Sequence, residues 1–103
     1  MKTNPEKVVV IDVMTCVSGT TTSSEAVSLF IKMKQSLVDG FSIKLSLINA
    51  TPMSSSFLNA SFGELFDQFG YPMIKERITL VDYKPSQAKQ IKDYLDTINK
   101  LVK

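Results

Sequence analysis

Three consecutive serines, Ser54, Ser55 and Ser56, stand where the chain is expected to turn from a strand into a helix. A hydroxyl at such a turn can cap the helix by accepting a hydrogen bond from a free N–H group of the first turn. It can also carry a phosphoryl group, because the helix N-terminus presents N–H donors and the positive end of its dipole to the added charge. The residues alone favour a cap, and phosphorylation is the alternative.

A second candidate for chemistry is the single cysteine, Cys16, with the hydroxyl-rich loop that follows it. A thiolate between a strand and a helix would be stabilised by the helix N-terminus, and the loop N–H groups could then hold a phosphoryl group. The spacing of Cys16, Gly19 and Thr22-Ser23 resembles the phosphocysteine loop of sugar phosphotransferase IIB proteins. A phosphocysteine carrier is therefore an alternative function, and a partly buried structural cysteine is the simpler interpretation.

Hydrolytic catalysis has little support in the sequence. The chain contains no histidine, which removes the usual general base and every Ser–His or Cys–His nucleophile pair. It contains neither a P-loop nor a dinucleotide-binding glycine motif. One cysteine without histidine also makes no zinc site. We therefore predict that the protein is not an enzyme and that it uses no cofactor and no metal.

The composition predicts one soluble domain over residues 1–103. Hydrophobic residues make up 44% of the chain, enough for one core, and no apolar run reaches the ~18 residues that a membrane span needs. Twelve basic and ten acidic residues give a net charge of +2, too little to indicate binding to nucleic acid. One unpaired cysteine and the lack of a signal peptide predict a cytoplasmic location.

The first half of the chain is expected to form strand, helix and strand. Lys7–Met14 is a nearly continuous apolar run that predicts a strand inside the sheet. The residues 22–25 have the form of a capping box, so a helix begins there, and it ends at Asp39-Gly40. Phe41–Leu47 alternates apolar and polar residues, which predicts a strand with one solvent-facing side. The side chains expected to face the core from the first helix are Val27, Phe30, Met33, Leu37 and Val38.

The second half repeats this order. A helix is expected to open within Ser54–Ser56 and to end at Gly70. A strand follows at Arg77–Tyr83, and Pro85 introduces a last helix whose apolar side chains keep helical spacing to Val102. The apolar stripe expected on the middle helix is Leu58, Phe62, Leu65, Phe66 and Phe69. Together these elements predict an α/β fold with a small, mostly parallel or mixed sheet and helices packed mainly on one face.

The segment Phe41–Gly70 resembles the central part of STAS-like domains of unknown function. In that family a strand leads into a Ser-Ser-Phe turn, and a helix follows that carries Phe-Gly and a closing glycine. The corresponding residues here are Ser55-Ser56-Phe57, Phe62-Gly63 and Gly70. The third strand and the last helix also fall where the family would place them. The resemblance therefore implies a STAS-like fold.

The resemblance also implies a function. STAS domains include anti-sigma factor antagonists, in which a partner kinase phosphorylates a serine at the strand-to-helix turn and so changes which protein is bound. Carried over to this sequence, Ser55 or Ser56 is the expected phosphoacceptor, and Ser54, Phe57 and Asn59 are the expected partner-binding residues. Ser54 stands where those proteins have an acidic residue, and Phe57 stands where they usually have glycine.

We therefore expect a non-enzymatic regulatory module that binds another protein, with a histidine-kinase-like regulator as the implied partner. Neither nucleic acid nor a membrane is expected to bind. A homodimer is also compatible with the sequence, because the solvent-facing side or an edge of the sheet can meet a second copy. A purely structural, oligomerising role is accordingly another alternative to the regulatory one.

Overall fold

A computed structural model describes residues 7–101 of the chain. Its strands are β1 (Val8–Asp12), β2 (Ser42–Ser46) and β3 (Ile78–Val81). They form one parallel sheet in the order β1-β2-β3, with Leu45 of β2 beside Ile11 on one side and Leu80 on the other. Parallel strands need crossover connections, and the helices between them supply these. The predicted α/β fold is confirmed.

The helices are α1 (Val13–Cys16), α2 (Ser23–Val38), α3 (Ser55–Leu58), α4 (Glu64–Phe69), α5 (Tyr71–Arg77) and α6 (Pro85–Leu101). A π-helical segment, Asn59–Gly63, joins α3 to α4 with right-handed helical backbone at both junctions. Residues 55–69 are therefore one continuous helix, which we call the serine-capped helix. It ends as predicted at Gly70, whose φ of 84° is readily adopted only by glycine.

The helices cover one face of the sheet. Ile11, Ile43 and Leu45 point towards that face, and none of them is more than 1% exposed. On the opposite face Lys44 of the central strand is exposed, as the alternation in Phe41–Leu47 predicted. Among the helices of the described residues, none is long and apolar enough to cross a membrane.

The first strand differs from the prediction. Within the described sheet β1 lies at an edge, because only β2 has a strand on each side. Its continuous apolarity does not come from burial on both faces, since Val8 and Val10 are 45% and 65% exposed on the open face. The strand is also shorter than predicted, because the side chain of Asp12 accepts a hydrogen bond from Met14 N and caps α1.

The position of α2 is confirmed, but its buried face is shifted. Thr22 and Glu25 form a complete capping box, and Gly40 follows the helix with a φ of 88°. Val27 and Val38 were expected in the core, yet they are 46% and 62% exposed. The side chains of α2 that are buried are Ala26, Leu29, Met33 and Leu37. This second apolar stripe keeps an unbroken helical spacing, and the small side chain of Ala26 begins it.

The last helix begins at Pro85 as predicted, but fewer of its apolar side chains are buried than their helical spacing suggests. Ile91 and Leu95 are buried, whereas Leu101 is 77% exposed. Val102, the last residue of the predicted stripe, lies outside the described residues. The helix therefore contacts the core through its middle turns.

Candidate functional site

The loop of residues 49–54 leads from β2 to the three serines, and α6 holds it from one side. The amide of Gln90 pairs with the backbone of Met53: Nε2 donates to Met53 O at 2.7 Å, and Oε1 accepts from Met53 N at 3.3 Å. Gln87 Nε2 donates to Ala50 O at 2.8 Å. An amide side chain can donate and accept at once, so these glutamines replace the backbone partners that a strand would have supplied.

The chain before α2 holds the same loop from its other side. Thr20 is 1% exposed, and its hydroxyl lies 2.9 Å from Pro52 O and 2.6 Å from Thr51 Oγ1. Ser54 N donates to Thr20 O at 3.0 Å. The backbone groups of this partly exposed loop thus find partners in a second loop. The turn before the serine-capped helix is therefore fixed on two sides.

Ser54 is the residue that caps the serine-capped helix. Its backbone is extended, and its Oγ accepts a hydrogen bond from Phe57 N at 3.1 Å. The hydroxyl also donates to Thr21 O at 2.7 Å. The sequence predicted a cap among the three serines, and the structure assigns it to Ser54. Both the proton and the acceptor oxygen of this hydroxyl are engaged.

Ser55 and Ser56 are the first two residues of the helix, and both are exposed. Within residues 7–101 their hydroxyls form no hydrogen bond. The first turn of the helix contains no acidic residue. The positive end of the helix dipole therefore faces solvent here without a carboxylate to neutralise it. This combination leaves two exposed hydroxyls beside the positive end of a helix dipole, which favours a negative charge.

Phe57 is not part of this surface. Its side chain is 0% exposed, so the expectation that it contacts a partner is wrong. The third position of the helix turns inward, and burying a phenylalanine there anchors the helix in the core. Asn59 is exposed, as a partner-binding residue must be, but its Oδ1 already accepts a hydrogen bond from the hydroxyl of Tyr94 at 2.6 Å. That contact ties the helix to α6.

The Phe-Gly pair of the sequence motif has a packing role. Phe62 is 1% exposed, and a Cβ placed on Gly63 would lie 2.6 Å from the hydroxyl of Tyr94. Glycine thus leaves room for the side-chain hydroxyl of Tyr94 against the π-helical segment. Ser61, also fully buried, donates from Oγ to Phe57 O at 2.7 Å and satisfies a carbonyl within the helix.

The loop after Cys16 already has two of its N–H donors occupied by a carboxylate. Cys16 is the last residue of α1, and it is half-buried. The N–H groups of Thr21 and Thr22 donate to Glu25 Oε1 at 3.3 and 3.2 Å. The hydrogen bond from the Thr22 side chain is the main cause that lowers the pKa of Glu25. The donors that would hold a phosphoryl group therefore already bind a carboxylate.

Metal-binding side chains do not gather elsewhere in the part of the chain that the structure describes. No group of three or more Cys, Asp or Glu side chains there is placed to hold a metal ion.

Sequence reasoning missed three residues that position the site. Thr20 was treated only as part of a polar loop, although its buried hydroxyl donates to Pro52 O and so connects the chain before α2 with the loop of residues 49–54. Gln87 and Gln90 lie three residues apart on α6, outside both its apolar stripe and its charged face. Two uncharged amides at helical spacing were the available signal, but their partners are about 37 residues away in the chain and not visible in it.

Comparison with known proteins identifies the family. A family model described as a STAS-like domain of unknown function (DUF4325) matches residues 25–88. No curated protein and no solved structure gave a match. The matched region begins at the capping-box residue Glu25 and includes β2, the serine-capped helix, α5 and β3. Since the match covers more than half of the chain and the parallel sheet agrees with it, the protein belongs to the family of STAS-like domains of unknown function.

Proposed function

We propose that this domain is a regulatory module rather than an enzyme, and that it binds another protein through the first turn of the serine-capped helix. Phosphorylation of Ser55 or Ser56 switches that binding. The proposal rests on the chemistry of this turn. Two serine hydroxyls are exposed, the first turn contains no carboxylate, and the neighbouring Ser54 makes the cap. The two candidate serines are therefore free of a structural task that modification would disrupt.

A phosphate at this turn changes charge without breaking the fold. A phosphoserine adds up to about two negative charges at neutral pH. At a helix N-terminus such charge is favourable by about 0.3–1 kcal/mol. The loop before the helix is held by Thr20 and Gln90 independently of Ser55 and Ser56. A partner would therefore meet the same backbone shape carrying either a neutral or a strongly negative surface.

The resemblance to anti-sigma factor antagonists motivates this use of the turn. STAS domains that act as anti-sigma factor antagonists are switched by a phosphoserine at the strand-to-helix turn. By this analogy the partner is a protein, with a histidine-kinase-like regulator as the expected kind, and both meet in the cytoplasm. The surface offered consists of Ser54, Ser55, Ser56 and Asn59, since Phe57 and Leu58 are buried.

The test compares equivalent positions of two helices. The double variant Ser55→Ala with Ser56→Ala is used for affinity capture from cells that express the chain naturally, beside the wild type. The control is Ser23→Ala with Ser24→Ala, at the first two positions of α2, which are also exposed. We expect one protein to be recovered by the wild type and the control, and its recovery to change several-fold with the Ser55/Ser56 variant. Both variants should melt within about 3 °C of the wild type.

Two further measurements make the test decisive. Mass spectrometry of the protein isolated from those cells should find phosphate on Ser55 or Ser56. Phosphoserine installed at position 55 or 56 during synthesis should change partner recovery relative to the unmodified protein, in the direction opposite to the change caused by the alanine variant. Phosphoserine at position 24 should leave recovery unchanged. Equal recovery with all variants, together with a loss of stability in the Ser55/Ser56 variant, would leave these serines with a structural role only.

A further inference from the structure

An apolar groove of about 370 Å³ runs between β3 and α6, away from the serine turn. Ile78 and Leu80 of β3 line one side, and Ile91 and Leu95 of α6 line the other. Its size is within the range of sites that hold a ligand or a few side chains. The groove shares no residue with Ser54–Asn59.

The strand beside the groove has an open edge. β3 pairs with β2 only, and Val81 O accepts from Leu47 N at 3.0 Å, so the backbone groups of Val81 face β2. Because these directions alternate along a strand, the N–H and C=O groups of Leu80 point away from the sheet. In the described structure no strand lies there to pair with them. The residues of β3 include neither the lysine nor the proline that commonly protects an edge.

Charge at the groove identifies the kind of partner. The charged side chains that line it are Lys75 and Lys92, and the lining contains no carboxylate. Both lysines are exposed. A complementary ligand therefore combines apolar side chains, which fill the groove, with carboxylates at its ends.

We propose that β3 and this groove bind an extended acidic segment of a partner protein, which joins the sheet as a fourth strand. Strand addition supplies main-chain hydrogen bonds to Leu80, and alternate apolar side chains of the segment enter the space between Ile78 and Leu95. The other edge of the sheet lacks this combination, because the pocket beside β1 is lined mainly by polar side chains such as Asp12 and Thr15.

The probe is the capped peptide EEVTLTVEE, labelled for fluorescence polarisation and titrated against the whole chain. The variant Lys75→Glu with Lys92→Glu should bind this peptide with a Kd about tenfold or more higher than the wild type does. It should also bind the charge-reversed peptide KKVTLTVKK more tightly than the wild type does. The control, Lys32→Glu with Lys100→Glu, makes the same change in net charge away from the groove and should alter Kd less than about twofold. The Ser55→Ala/Ser56→Ala variant should bind the peptide as the wild type does, which separates this test from that of the proposed function.

Two N-methylated peptides test whether the backbone is used. One carries N-methyl groups on its valines and leucine and the other on its threonines, so the side chains are unchanged. In an added strand only alternate N–H groups face β3, so one of the two peptides should lose binding and the other should retain it. Equal binding of both, or no binding of EEVTLTVEE at about 1 mM protein, overturns the proposal. A dimer in sedimentation that excludes the peptide would assign the groove to a second copy and overturn it as well.

Discussion

The two long helices that follow β1 and β2 begin with similar sequences, Thr22-Ser23-Ser24-Glu25 and Ser54-Ser55-Ser56-Phe57. The caps are made alike: Glu25 N donates to Thr22 Oγ1 at 3.2 Å, and Phe57 N donates to Ser54 Oγ at 3.1 Å. The third helical residue is where they differ. Glu25 folds back over the N-terminus of α2, whereas Phe57 enters the core.

This one position decides what each N-terminus can do. The Glu25 carboxylate at the third position accepts hydrogen bonds from the N–H groups of Thr21 and Thr22 and so closes the end of α2. A phenylalanine there anchors the second helix but leaves its dipole without a negative partner. Two turns with the same hydroxyl-rich composition therefore differ in local charge, because the first turn of α2 carries a carboxylate and the first turn of the serine-capped helix carries none.

The largest effect is expected at that third position. Phe57→Ala should lower the free energy of unfolding by about 3–5 kcal/mol, because it leaves a cavity in the core. Glu25→Ala should cost much less, since it removes only surface hydrogen bonds. Urea denaturation followed by circular dichroism measures both, and Phe57→Leu provides a milder variant if the first does not fold. Similar small losses for the two alanine variants would show that Phe57 is not an anchor.

The next effect concerns the tie between the two turns. Thr20→Val keeps the shape of the side chain but removes its hydroxyl, leaving Pro52 O and Thr51 Oγ1 without this partner. The free energy of unfolding should fall by about 1–3 kcal/mol. Thr21→Val, at the exposed neighbouring residue, is the matched control and should stay within about 0.5 kcal/mol of the wild type. An equal response of both variants would contradict the buried tie.

The three serines should separate into one cap and two replaceable residues. Ser54→Ala should cost about 1 kcal/mol of unfolding free energy, because the bond to Phe57 N is lost. Ser55→Ala and Ser56→Ala should each change it by no more than about 0.5 kcal/mol. Thermal melts of the three single variants rank their losses of stability. A larger loss for Ser56→Ala than for Ser54→Ala would show that Ser56, and not Ser54, is the cap.

Added charge should distinguish the two N-termini directly. Ser56→Glu places a carboxylate at the second position of the open helix and should raise the free energy of unfolding by about 0.3–1 kcal/mol. Ser24→Glu, at the equivalent position of α2, should stabilise the protein less, because the first turn of α2 already carries the negative charge of Glu25. The gain should decrease in high salt. Equal gains at both positions would mean that Glu25 does not close the first N-terminus.

The smallest effect is a dependence on pH. The pKa of Glu25 is lowered, chiefly by its hydrogen bond with the Thr22 side chain, so its carboxylate binds fewer protons in the folded than in the unfolded protein. Its contribution is present above the ordinary value of 4.5 and is lost as pH falls through the lowered pKa. The melting temperature of the Glu25→Gln variant should therefore be slightly lower than that of the wild type at pH 7. The two temperatures should be equal at pH values below the lowered pKa of Glu25. A gap that persists in acid would exclude charge as its cause.

Local chemistry made much of this fold predictable. The capping box at Thr22 and the glycines at positions 40 and 70 marked helix ends, because caps and left-handed backbone depend on adjacent residues. The alternation in Phe41–Leu47 likewise revealed a sheet covered on one face. The face of α2 that packs was not predictable, since its apolar residues form more than one stripe and the sheet selects between them.

By itself, the sequence determined the alternation of three strands with three long helices, the family and the hydroxyl-rich character of the serine turn, but not the short helices α1 and α5. The tertiary structure alone decided that Ser54 is the cap, that Phe57 is core and that Thr20, Gln87 and Gln90 hold the turn. The physical reason is that these roles depend on partners more than 30 residues away or on the direction in which a side chain points. Residue type and spacing do not contain that information.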